Sequence, residues 1–280
     1  MSAVGPLISA EALAGRLGDD ALVMIDCRHD LARPDAGEAA WAESHIPGAL
    51  FMHLDRDLSS VKTGSNGRHP LPSPAAFTAL LGRCGITPQH TVVAYDDAGG
   101  MFAARLWWML RWVGHADAAV LDGGLAAWRA AGGALDQTVR SRPATRYPVG
   151  AVETTLDADA LMANLDSAAL LVVDARAPDR FRGENETLDP VGGHIPGAVN
   201  RFFKLNLTDD GRFKPADVLR AEWCAIANGR DPATLVMQCG SGVTACHNLL
   251  ALELAGLSGA RLYPGSWSEW CSDPARPVAR

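Results

Sequence analysis

Several features are scarce or missing in this sequence, and each absence excludes a class of protein. The 280 residues contain six cysteines and no Cys-x-x-Cys pair, which excludes a disulfide scaffold and argues against zinc ribbons and thioredoxin-type motifs. No apolar run approaches the roughly 18 residues of a membrane span, so no membrane partner is expected. The net charge is -7 without basic runs, which argues against nucleic acid as a partner. Residues 1–17 lack the pattern of a secretory signal, so we expect a cytoplasmic protein with reduced thiols.

What the sequence does contain is an apolar composition and an internal repeat. Hydrophobic residues make up 48% and charged residues 20%, enough for a sizeable core. The segment Leu22 to Arg28 matches Leu170 to Arg176, and the motif HIPGA at His45 recurs at His194. Two further landmarks follow in the same order in both halves. The interval is the size of a domain, so the repeat indicates a duplicated domain rather than a solenoid.

We therefore predict an α/β protein with two tandem domains. Residues 1–137 form the N-terminal domain, residues 138–155 an extended linker and residues 156–280 the C-terminal catalytic domain. Each half alternates helical patterns with continuous apolar runs, which are typical of buried parallel strands between helices. The predicted strands are residues 22–25, 92–95, 170–173 and 235–238.

The residues after the last of these strands carry the strongest chemical signal. Cys239 follows the strand directly, and a helix is predicted to begin near Val243 or Thr244. A helix N-terminus offers N–H donors and partial positive charge, which favour a thiolate. Gly240 and Gly242 allow the backbone amides to turn inward around an anion. We predict that Cys239 is a nucleophile; the alternative is a buried cysteine whose neighbouring glycines serve only a tight turn.

The loop CGSGVT, both HIPGA segments, the Asp-x-Arg strand ends and the terminal GSWSEW resemble the tandem-domain rhodanese-type sulfurtransferases. The resemblance covers nearly the whole chain and implies two rhodanese-like domains, each a parallel sheet flanked by helices. It also implies that only the second domain keeps the nucleophile, since Asp96 stands at the corresponding position of the first. The pair Gly240-Ser241 is similar to that of 3-mercaptopyruvate sulfurtransferases, whereas thiosulfate-preferring members carry an Arg-Lys pair there. No arginine closes the loop, which disfavours a rhodanese-like phosphatase.

The resemblance implies an enzyme that moves sulfur from 3-mercaptopyruvate to a thiol or cyanide acceptor through a Cys239 persulfide, releasing pyruvate. It implies no metal and no organic cofactor, and a thioredoxin-like protein is one candidate acceptor. Two alternatives stay open. One is a thiosulfate:cyanide sulfurtransferase, or rhodanese. The other is a carrier that hands its persulfide sulfur to a specific protein partner.

Further site residues follow from the resemblance. A serine–histidine–aspartate relay would consist of Ser241, His69 and Asp55. The alternative is that His69 is an exposed loop residue and that Asp55 caps a turn. Arg180 matches the arginine that binds the donor's carboxylate, or else lies on the surface. A second family arginine is missing from the stretch 186–189, so Arg182 or Arg201 is the alternative cation. The loop positions implied in donor binding are Gly240, Gly242, Val243 and Thr244.

Overall fold

The computed structural model describes residues 5–150, 152 and 155–280, which divide into two compact bodies. The first body comprises residues 5–60, 72–150, 152 and 209–212, and the second comprises 61–71, 155–208 and 213–280. Residues 61–71, which carry His69, therefore pack with the second body, although the predicted domain boundary assigned them to the first. Residues 1–4 of the predicted N-terminal domain lie outside the described residues.

In its described residues, the first body contains one parallel sheet of five strands in the order β1-β5-β4-β2-β3. Helices and strands alternate along the chain, as the sequence predicts. The elements are β1 (Leu7–Ile8), α1 (Ala10–Ala14), β2 (Leu22–Asp26), α2 (Ala36–Glu43), β3 (Leu50–Phe51), α3 (Pro74–Arg83), β4 (Thr91–Tyr95), α4 (Ala103–Trp112), β5 (Ala118–Leu121) and α5 (Gly124–Ala130).

The described part of the second body contains a four-stranded parallel sheet in the order β7-β6-β8-β9. This order repeats β3-β2-β4-β5 of the first body, so the duplication extends to topology. The elements are α6 (Ala158–Ser167), β6 (Leu171–Asp174), α7 (Pro178–Phe181), β7 (Val199–Asn200), α8 (Ala216–Ala227), β8 (Leu235–Gln238), α9 (Thr244–Leu254), β9 (Arg261–Leu262) and α10 (Ser266–Trp270). Short 3₁₀ helices cover Phe203–Asn206 and Pro232–Thr234.

The predicted central strands are confirmed, and their burial explains their composition. Every residue of β4 and β8 is buried, because helices cover both faces of a parallel sheet. Helices α1 and α6 each begin with an N-cap. The Ser9 hydroxyl accepts from the Ala12 N–H at 3.2 Å, and the Asp157 carboxylate accepts from the Ala160 N–H at 2.8 Å.

The repeated polar landmarks are structural in both bodies. Arg28 pairs with Asp26 and also donates to the Ser44 carbonyl at 2.7 Å. Arg176 pairs in the same way with Asp174 and donates to the Gly193 carbonyl at 2.7 Å. Each arginine thereby ties the end of a strand to the chain just before an HIPGA turn. Because the same arrangement occurs where no cysteine follows the neighbouring strand, it belongs to the architecture of the domain.

The predicted linker has no helix or strand among its described residues, 138–150, 152 and 155. Residues 151, 153 and 154 lie outside the described part. The linker packs on the first body, since the Thr145 N–H donates to the Gly82 carbonyl at 2.8 Å and the Tyr147 hydroxyl lies 2.8 Å from Nδ1 of His115. Across the described chain, none of the helices combines the length and apolarity needed to span a membrane.

Candidate active site

Cys239 is held at the carboxyl end of β8 by contacts with the turn that begins α10. Its backbone N–H donates to the Ser266 hydroxyl at 3.1 Å, and its carbonyl accepts from the Trp267 N–H at 2.9 Å. The next carbonyl, of Gly240, accepts from the Ser268 N–H at 2.9 Å. The GSWSEW motif therefore fixes the backbone of the CGSGVT loop.

The loop turns one backbone amide toward the sulfur of Cys239, a residue that is only 2% exposed. The Ser241 N–H points at Sγ from 3.5 Å. Gly242 has a φ of +76°, and a methyl group placed there would lie 2.4 Å from the Pro264 carbonyl oxygen. The residue must therefore be glycine for this tight turn to form. Val243 and Thr244 are buried where α9 begins, so the predicted helix follows the loop directly.

A buried serine–histidine pair lies next to this loop. The Ser241 hydroxyl is 2.7 Å from Nδ1 of His69, and the two residues are 6% and 5% exposed. The alternative in which His69 is an exposed loop residue is therefore wrong. A hydroxyl and an imidazole at this distance can pass a proton between them.

Asp55, the third residue of the predicted relay, belongs to the first body. There its Oδ2 lies 3.8 Å from Nε2 of His29, and its backbone N–H donates to Nδ1 of His53 at 3.1 Å. Its part in a relay with Ser241 and His69 stays a prediction.

His29, His53 and Asp55 are also the group of three potential metal ligands found among the described residues. The hydrogen bonds of His53 speak against that use. Its Nδ1 accepts a backbone N–H, so Nε2 carries the proton and faces the Pro34 carbonyl at 3.1 Å. In this tautomer Nε2 has no lone pair to offer a metal ion.

The guanidinium of Arg180 lies against the active loop, and its binding of the donor's carboxylate stays a prediction. A methyl group built on Gly240 would lie 3.6 Å from both NH1 and NH2 of Arg180. The same guanidinium binds Glu186, with NH2 donating at 2.8 Å, and reaches Asp189 at 3.4 Å. Burial is the largest single influence on Glu186 and opposes its ionisation. The hydrogen bonds and charge of Arg180, together with the backbone N–H groups of Leu188 and Asp189, outweigh burial and lower the pKa of this carboxyl.

The two alternative cations are engaged elsewhere. Arg182 is half-exposed and donates to Glu184 at 2.7 and 2.8 Å. Arg201 binds Glu222 and donates to the Leu205 carbonyl at 3.1 Å. Neither set of contacts involves the CGSGVT loop.

Arg68 was missed by the sequence reasoning. Its NH2 would lie 2.7 Å from a methyl group on Gly240, closer than Arg180, and its NH1 binds Asp189. The only signal in the sequence was its position beside His69. The loop itself is neutral, as predicted, but two guanidinium groups face it.

The loop after β4 in the first body corresponds to the CGSGVT loop and shows how a loop of this kind binds an anion. The Asp96 carboxylate accepts four backbone N–H groups, from Ala98, Gly100, Phe102 and Ala103, at 2.8 to 2.9 Å. Burial raises the pKa of Asp96, and these donors act against that rise. The first loop therefore keeps the anion-binding amides and fills them with its own side chain.

Comparison with known proteins agrees with this architecture. The family model for the rhodanese-like domain matches residues 9–131 and 157–273. The chain is similar to a probable 3-mercaptopyruvate sulfurtransferase of Pseudomonas aeruginosa, with 50% identity over 98% of this chain and 97% of that protein. It is also similar to the thiosulfate sulfurtransferase of Gallus gallus, with 35% identity over 94% of this chain and 90% of that protein. Among solved structures, 3-mercaptopyruvate sulfurtransferase from Leishmania major matches with a TM-score of 0.85 and 32% identity, over 95% of this chain and 74% of that one.

Proposed function

The chain belongs to the rhodanese-like domain family, and from this membership we propose that it is a sulfurtransferase whose donor is 3-mercaptopyruvate and whose nucleophile is Cys239. The observation that carries the choice of donor is the 2.7 Å contact between the Ser241 hydroxyl and His69 beside the cysteine loop. Removal of sulfur from this donor leaves a carbanion equivalent that needs a proton. Ser241 and His69 form a buried pair beside the cysteine loop that can supply this proton.

The first half-reaction forms a persulfide. The Cys239 thiolate attacks the donor sulfur, an S–S bond forms, and the carbon–sulfur bond breaks with its electron pair going to carbon. The product is the enolate of pyruvate. The proton that the donor thiol gives up is returned to the enolate carbon, and Ser241 with His69 is the route we propose for it. The Ser241 N–H, 3.5 Å from Sγ, supports negative charge on sulfur.

The second half-reaction removes the sulfur. An acceptor thiolate or cyanide attacks the outer sulfur, and the S–S bond breaks to regenerate the Cys239 thiolate. Because the two half-reactions share one covalent intermediate, the kinetics are expected to be ping-pong. We place the reaction in the cytoplasm, where a thioredoxin-like protein would be a suitable acceptor.

Thiosulfate is the second candidate donor. The guanidinium groups of Arg68 and Arg180 against Gly240 are the observation in its favour, although Asp189 and Glu186 pair with them and offset their charge. The similarity to the thiosulfate sulfurtransferase of Gallus gallus, which extends over 94% of this chain, is a second argument for this donor.

Steady-state transfer to cyanide, with each donor in turn, tests the proposal. We expect kcat/KM for mercaptopyruvate to exceed that for thiosulfate at least about tenfold, and Cys239→Ser to abolish both. A higher value for thiosulfate would make the protein a rhodanese. Uptake of one sulfur atom by Cys239 without turnover on either donor, seen by intact mass spectrometry, would make it a carrier for a protein partner.

A further inference from the structure

The stretch 186–189 lacks the second family arginine, yet the structure brings a second arginine to the same place. The last residue of this stretch is Asp189, whose side chain is 3% exposed. Asp189 binds NH1 of Arg68 and lies 3.4 Å from NH2 of Arg180. Burial raises the pKa of Asp189, which the hydrogen bond from Arg68 partly offsets. A carboxylate so placed joins two guanidinium groups that come from distant parts of the sequence.

Both guanidinium groups lie against the residue that follows the nucleophile. A methyl group on Gly240 would lie 2.7 Å from NH2 of Arg68 and 3.6 Å from NH1 of Arg180. The side chains of Arg68 and Arg180 are 27% and 20% exposed, so solvent and a small ligand can reach them. The two cations are therefore accessible next to the residue that follows Cys239.

Each arginine keeps hydrogen-bonding capacity on the side of Gly240. Asp189 occupies NH1 of Arg68, while Glu186 and Asp189 occupy Nε and NH2 of Arg180. Arg68 NH2 and Arg180 NH1 have no hydrogen bond to any of the described residues. Both of these groups lie close to the position that a methyl group on Gly240 would take, so their N–H donors face the loop.

The backbone around Arg68 is held firmly. Its N–H donates to the Ser268 hydroxyl at 3.0 Å, and Gly67 has a φ of +84°. A methyl group on Gly67 would lie 2.8 Å from the Gly265 carbonyl oxygen, so only glycine permits this approach to the start of α10. Arg68 is thus fixed to the same turn that fixes Cys239.

We propose that Arg68 and Arg180 together bind the carboxylate of the sulfur donor, one oxygen each, and that Asp189 is the positioning residue that holds Arg68 for this purpose. The inference rests on the proposed function and names the determinant of its donor class. Glu186 and Asp189 offset the charge of the two arginines, so the pair suits a planar monoanion better than a compact dianion. An α-keto acid thiol is such a monoanion.

The test compares two donors that differ only in the carboxylate. Mercaptopyruvate carries it, and mercaptoacetone has a methyl group in its place. For Arg68→Met we expect KM for mercaptopyruvate to rise about tenfold to a hundredfold while kcat changes less than about threefold. For mercaptoacetone, kcat/KM should stay within about threefold of the wild type. Arg68→Lys should recover part of the loss, and Arg33→Met, at an arginine whose side chain is 78% exposed, is the matched control.

Gly240→Ala perturbs the same contact without removing a charge. The added methyl group would displace the end of the Arg68 side chain, so KM for mercaptopyruvate should again rise more than KM for mercaptoacetone. Retained turnover of mercaptoacetone shows that each variant is folded. An equal loss on both donors, or an unchanged KM for mercaptopyruvate, overturns the role of Arg68.

Binding of pyruvate separates this inference from the proposed function. Pyruvate carries the same carboxylate and needs no turnover, so its Kd can be measured by calorimetry in the wild type and in Arg68→Met. If the wild type turns over no mercaptopyruvate but Arg68→Met weakens pyruvate binding at least about tenfold, the function fails and the two-arginine site stands. If mercaptopyruvate is turned over and the Kd is unchanged, the site fails and the function stands.

Discussion

Removal of the Ser241 hydroxyl should slow the reaction with one donor and spare the other. The hydroxyl lies 2.7 Å from Nδ1 of His69 in a buried environment, and the Ser241 backbone N–H points at the cysteine sulfur. Ser241→Ala deletes the hydroxyl and leaves the backbone donor in place. The variant therefore separates proton transfer from stabilisation of the sulfur anion.

The magnitude follows from the chemistry of the two leaving groups. Mercaptopyruvate leaves as an enolate that must be protonated on carbon, and a positioned proton donor typically contributes about a hundredfold or more. Thiosulfate leaves as sulfite, which needs no proton on carbon. We expect kcat for mercaptopyruvate to fall about a hundredfold, equivalent to about 2.7 kcal/mol, and kcat for thiosulfate to change less than about threefold.

Rapid-quench measurement of Cys239 persulfide formation, with each donor, is the assay. Ser258→Ala is the matched control, since Ser258 is an exposed serine of the same body. Thermal unfolding of Ser241→Ala should be recorded alongside, because loss of a buried hydrogen bond lowers the free energy of unfolding by about 1 kcal/mol. A similar slowing with both donors would refute the reasoning, since it would place the effect on the nucleophile rather than on the proton.

Three further predictions concern the loops and the thiols. Asp96→Asn would set an NH₂ group against two backbone N–H donors, which leaves buried donors without an acceptor. Urea unfolding should therefore show the free energy of unfolding of the first body lowered by about 2–4 kcal/mol, and a change under about 0.5 kcal/mol would contradict this. Gly242→Ala should lower the free energy of unfolding of the second body by about 2 kcal/mol more than Gly229→Ala does. Both glycines have a φ near +77°, but of the two only Gly242 has a neighbour within contact distance of an added methyl group. Equal losses of stability in the two variants would count against the clash. Burial raises the pKa of Cys271 to about 11, so its thiolate is scarce at about pH 8. Iodoacetamide should therefore modify the exposed Cys224 before Cys271, as read by peptide mass spectrometry, and faster labelling of Cys271 would disprove this.

The strands and the nucleophile loop could be predicted because their signals are local. The apolar run 235–238 and the glycines after Cys239 lie within ten consecutive residues, and β8 has the predicted bounds. The pairing of Ser241 with His69 came only from resemblance to a family, since the two residues are far apart in the chain. Neither a local sequence pattern nor the resemblance to a family pointed to Arg68. The stretch 186–189, which lacks the second family arginine, contains Asp189, and only the fold shows that this carboxylate binds an arginine from another segment.

The two halves of the duplication also explain one another chemically. The oxygens of Asp96 lie two bonds beyond Cβ, where the outer sulfur of a persulfide would lie on a cysteine at the same position. Four amides of the first loop meet those oxygens, and the first of them, from Ala98, corresponds to the Ser241 N–H that points at the sulfur of Cys239. We infer that the first half holds a fixed carboxylate in the place that the second half keeps for the transferred sulfur. The loop would then bind the persulfide anion better than the bare thiolate, so that negative charge on the outer sulfur is stabilised until an acceptor removes it.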